Sequence, residues 1–140
     1  MADKTYVEIS KFTIASDVDA KFKGKAVDSM TKAAEAAVKA SGKLTLDAPK
    51  QKGVKGWFLF GNLDSVGPDK AGKKFEAKVS LTISTWPAKS MKTSAKGSGG
   101  FAIASADEKI SSGDIDLAIT TAVKEAMKSG VPYMERTKPE

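Results

Sequence analysis

The clearest pattern in the chain is a strict alternation between Phe75 and Thr85. Phe75, Ala77, Val79, Leu81 and Ile83 share one parity, and Glu76, Lys78, Ser80, Thr82 and Ser84 share the other. This predicts a strand with one buried face and one wet face. Two other stretches carry a helical period instead. From Phe22 to Ser41 the apolar positions that fall at helical spacing are Phe22, Ala26, Met30, Ala33, Ala34, Ala37 and Val38, which form a single stripe. From Asp114 onward they are Ile115, Ala118, Ile119, Ala122, Val123, Ala126 and Met127. Gly42 reads as the stop of the first helix, and Ser129-Gly130-Val131-Pro132 as the stop of the second. Asp17, Asp19 and Asp114 are placed to cap or begin these helices.

The remaining segments predict further strands. Thr5 to Ile14 switches parity between Val7/Ile9 and Phe12/Ile14, which points to a bulge or bend near Ser10. Lys43 to Asp47 is a short strand. Gly56 to Val66, with Trp57-Phe58-Leu59-Phe60, is apolar on both parities and reads as a central strand. Trp86-Pro87-Ala88-Lys89 makes a tight turn into Ser90–Lys96, a strand of weaker apolar character. Gly97-Ser98-Gly99-Gly100 reads as a bulge or flexible loop, after which Phe101–Ser105 resumes the strand. Two striped helices need one sheet face to bury them. The expected architecture is an α+β two-layer sandwich in the order β-α-β-β-β-β-α. Its sheet is mostly antiparallel, with four to five strands and both helices on one face. Residues 1–134 form one domain and 135–140 a loose tail.

Composition narrows the chemistry. The 140 residues include no cysteine and no histidine, which removes disulfides, thiolate nucleophiles, imidazole bases and Cys/His zinc sites. No apolar run is long enough to span a bilayer. Met1-Ala2-Asp3-Lys4 leads directly into a strand-like segment, so the chain reads as cytoplasmic, or as periplasmic if a leader has been removed.

Three motifs imitate active sites. Gly67–Lys74 resembles a phosphate-binding loop but carries Lys74 where the hydroxyl belongs, and a period-two strand follows it. Ser29-Met30-Thr31-Lys32 matches an acylating-serine pattern that serine- and lysine-rich chains produce by chance. The Asp-x-Asp pairs at 17–19 and 114–116 fit helix starts better than a metal. Neither catalysis nor a cofactor or metal site is expected.

The net charge is +6, and Arg136 is the only arginine. Residues 50 to 100 hold ten lysines against Asp64, Asp69 and Glu76. The candidate binding residues are therefore Trp86, which breaks the alternation beside its proline turn, with Lys89, Lys92, Lys96, Lys70, Lys73 and Lys74. Lysine attracts polyanions without reading bases, so non-specific, salt-sensitive nucleic-acid binding is the alternative function. The leading expectation is a protein-interaction or assembly domain, with a protein partner or self-association. It would act through the solvent face of the meander or through an edge strand such as Ser90–Lys96.

The order of elements from Tyr6 to Lys96 resembles the small α/β domain of bacterial envelope lipoproteins of the curli-secretion and penicillin-binding-protein-activator type. The residues that carry this are Val54-Lys55-Gly56-Trp57-Phe58-Leu59-Phe60-Gly61-Asn62-Leu63, then Lys78 to Trp86, then Lys89 to Gly99. The chain departs from that pattern in lacking a second helix before the Trp57 strand and a lipidated cysteine. The resemblance implies a non-enzymatic binding or assembly role in the envelope.

Overall fold

A computed structural model describes residues 4–19, 22, 25–105 and 108–139. The elements are β1 (Thr5–Ile9), β2 (Thr13–Ile14), α1 (Ala26–Ala40), β3 (Leu44–Thr45), β4 (Gly56–Pro68), β5 (Lys74–Trp86), β6 (Met91–Ala102) and α2 (Ser112–Arg136). The sheet order is β3-β1-β4-β5-β6, with β2 also paired to β4. The fold is α+β with the helices packed on the sheet, as the periodicities predict. The two long ladders, β4–β5 and β5–β6, are antiparallel, whereas β1 runs parallel to both β3 and β4. Among the described residues the sheet is thus mixed and six-stranded. The extra strand comes from the break near Ser10. Between the pairs Ile9–Leu59 and Thr13–Asn62, three residues on one side lie opposite two on the other. That added residue switches the parity, so Phe12 is buried in the core beside Gly61.

Phe75, Ala77, Val79, Leu81 and Ile83 of β5 are all buried. They meet Met30, Ala34 and Val38 of α1, and Ala118, Ala122, Ala126 and Met127 of α2, in one cluster. The wet parity of β5 lies on the opposite face, on which no helix of the described residues packs. Phe58 and Phe60 of β4 also point there and are only half-buried, while Trp57, Leu59 and Leu63 fill the core.

Four local expectations are corrected. Helix α1 starts at Ala26 rather than Phe22, so Asp17 and Asp19 lie too far upstream to cap it, and Lys25 holds the N-cap position without a side-chain bond. Phe22 instead packs edge-on against Phe75, at 5.6 Å between ring centroids. At α2 the cap is Ser111, whose Oγ accepts from the Asp114 N–H at 3.1 Å, while Asp114 sits in the first turn. The Gly97–Gly100 run is neither bulge nor loop but part of the twelve-residue strand β6. Finally, α2 runs through Gly130 and Pro132 to Arg136, which takes up the first residues of the expected tail.

Pro132 removes one helical hydrogen bond, and the contacts beyond it compensate. Met134 is buried, its carbonyl accepts from Trp57 Nε1 at 3.3 Å, and Glu135 accepts from Ser41 Oγ at 2.6 Å.

Candidate functional site

Strand β6 lies at one edge of the sheet, and among the described residues no strand lies beyond it. Its pairing with β5 determines which backbone groups are free. The Ile103 N–H donates to the Lys73 carbonyl at 2.9 Å, in register with the pairs Phe101–Phe75, Gly99–Ala77, Gly97–Val79, Ala95–Leu81 and Thr93–Ile83. Antiparallel ladders alternate bonded and non-bonded positions. The odd residues of β6 therefore bond to β5, and the N–H and C=O groups of Ser94, Lys96, Ser98 and Gly100 face outward. A strand edge of this length is a template for a further strand. Its start is marked by Met91, which is 65% exposed.

The helix side of this edge is built from small residues. A Cβ on Gly97 would run into the Ala122 carbonyl and the Ala126 amide, and one on Gly99 would lie 2.5 Å from the Ala118 carbonyl. Two glycines on β6 thus meet the alanine stripe of α2, and helix backbone rests on strand backbone. Beside this seat a groove of about 640 Å³ is lined by residues that include Asp64, Lys78, Lys96, Ser98, Glu125 and Lys128.

The residues singled out by sequence separate into three places. Trp86 is half-buried rather than free, its ring edge-on to Tyr6 at 4.8 Å, and Lys89 Nζ sits 4.8 Å from the centroid of Phe58. These two belong to the β5–β6 turn. Lys92 and Lys96 lie on β6 itself and are exposed. Lys70, Lys73 and Lys74 belong to the β4–β5 turn at the far end of β5. That turn is a hairpin: the Asp69 N–H donates to the Lys74 carbonyl at 2.8 Å, and Asp69 Oδ1 accepts from the Lys73 N–H at 3.0 Å. Lys74 in turn holds Glu76 at 3.0 Å. The ends of a thirteen-residue strand are about 40 Å apart, so the lysines make no single basic patch.

Sequence reasoning passed over two parts of the edge, Ser98 and Gly100, because it treated the glycine run as loop. It also passed over the half-exposed pair Phe58 and Phe60. Among the described residues no three carboxylates gather as a metal site would require.

Tyr6 is a buried titratable group on β1, two residues from Glu8. Burial, then the negative charge of Glu8 and a hydrogen bond to it, raise its pKa above the ordinary tyrosine value. A raised acid pKa stabilises the fold while the group stays protonated in both states. That contribution is present below about pH 10 and is lost as pH rises past the unfolded value. Wild-type denaturant stability should accordingly fall above pH 10 more steeply than that of Tyr6→Phe.

No family model and no curated protein matches this chain. Solved structures share its fold at low identity. A hypothetical protein of Chlamydia trachomatis superposes with a TM-score of 0.68 at 11% identity, over 96% of this chain and 99% of that one. The PelC dodecamer of Paraburkholderia phytofirmans gives 0.55 at 10% identity, over 91% and 89%. A candidate lipoprotein of Caulobacter crescentus gives 0.51 at 12% identity, over 90% and 86%. The expected likeness to envelope lipoproteins thus holds at the level of the fold. No helix of the described residues is long and apolar enough to cross a membrane.

Proposed function

We propose that this chain is a non-catalytic protein-interaction domain that binds by adding an extended strand to the free edge of β6. The observation that carries this reading is the set of outward backbone groups at Ser94, Lys96, Ser98 and Gly100 on a strand held rigid by β5 and α2. Main-chain bonds supply affinity in such a mode, and flanking side chains supply selectivity. Assembly with like chains is one form of it, supported by the dodecamers of the PelC fold neighbour. The lipoprotein neighbour supports an envelope location, the periplasmic alternative of the sequence reading.

Ser98→Pro tests the reading. Proline there removes an N–H that points outward rather than one bonded to β5. Light scattering over a concentration series should show wild-type mass rising above the monomer and Ser98→Pro staying monomeric. Equal association by both proteins would mean that another surface joins the chains.

A further inference from the structure

The same edge also restricts what can be added to it, and this inference rests on the strand-addition reading. Antiparallel pairing of two β6 strands in one continuous sheet would bring them about 4.8 Å apart. Each β6 carries α2 directly on its backbone at Gly97 and Gly99. Helices pack about 8–10 Å apart, so the two α2 helices would crowd one another. Such a pair would also bring the Lys92 and Lys96 side chains of both copies onto one seam, and like charges directly opposite destabilise a ladder. The edge therefore disfavours a second β6 and favours a segment without a helix layer above it.

The charges around the edge indicate that segment's chemistry. Glu125 is held by Lys128 at 2.8 Å, and Glu76 by Lys74 at 3.0 Å and Lys78 at 3.7 Å. Asp64 accepts from Asn62 at 2.7 Å and from Ser80. Each of these carboxylates has a partner, whereas Lys92 and Lys96 meet no carboxylate within 4 Å among the described residues. We infer that the edge of β6 binds a single extended, acidic segment of a partner protein. Its backbone lies against Ser94–Gly100, and its carboxylates face Lys92 and Lys96. The groove beside Gly97 and Ser98 gives room for its side chains. In an assembly of like chains, the strand laid on β6 would come from a segment other than β6.

Fluorescence anisotropy with a short labelled peptide in which glutamate alternates with valine tests this. Binding should weaken about tenfold for Ser98→Pro and for Lys96→Glu, with circular dichroism confirming that both variants fold. The same peptide N-methylated at every backbone nitrogen has the same charge but no N–H to donate to the ladder, and it should bind at least as weakly. Equal binding of the plain and N-methylated peptides would reduce the effect to bulk charge and overturn the inference. Absence of peptide binding, with Ser98→Pro still abolishing concentration-dependent association, would overturn the acidic segment and leave the edge reading standing. Absence of both would remove both.

Discussion

Replacing Trp57 by alanine is expected to destabilise the fold by about 4 kcal/mol, the cost of emptying a fully packed aromatic site. The indole is buried in the core, tilted against Tyr133 at 5.7 Å, and donates to the Met134 carbonyl. It therefore ties the central strand β4 to the last turn of α2, past the proline that would otherwise end the helix. Trp57→Phe keeps most of the apolar volume and loses the N–H, so its cost should be about 1 kcal/mol. Urea unfolding curves give both values. A Trp57→Ala midpoint close to wild type would mean that the C-terminal turn is not anchored there.

Gly97→Ala should cost about 3 kcal/mol, a large effect for one added methyl group. The new Cβ meets backbone atoms of Ala122 and Ala126, and backbone cannot turn aside as a flexible side chain would. Relief requires α2 to lift from β6, which would also disturb the Ala118 and Ala122 contacts. Gly42→Ala is the control, because a Cβ at Gly42 meets nothing within 4 Å. A Gly97→Ala midpoint matching that control would show that the helix is not seated on the strand. Its seat on β6 is also what disfavours a second β6, so this substitution bears on recognition as well as on stability.

The fold was readable where burial acts through a simple period. The Phe75–Ile83 alternation and the two helical stripes carried the two-layer architecture, and the parity switch at Ser10 located the break between β1 and β2. Local rules failed where a distant contact overrides them. Glycines at 97 and 99 signal a loop by propensity, yet here they provide clearance for α2, and the cause lies some twenty residues later in Ala118, Ala122 and Ala126. Gly130 and Pro132 signal a helix end, yet burial of Met134 and the bonds from Trp57 and Ser41 carry the helix onward. The docking edge was half readable. Ser90–Lys96 could be named as an edge strand, but which of its amides face outward depends on its register with β5. The lysines were visible as a count only. Their spacing along the chain conceals that Lys70, Lys73 and Lys74 lie at the opposite end of β5 from Trp86 and Lys89.

Amide hydrogen exchange resolved along β6 tests the central claim most directly. In the dilute chain, Ser94, Lys96, Ser98 and Gly100 should exchange quickly, while Thr93, Ala95, Gly97 and Gly99 are protected by β5. On assembly or strand binding the first group should slow to match the second. Slow exchange of those even-numbered amides in the dilute chain, or fast exchange once a complex has formed, would contradict it.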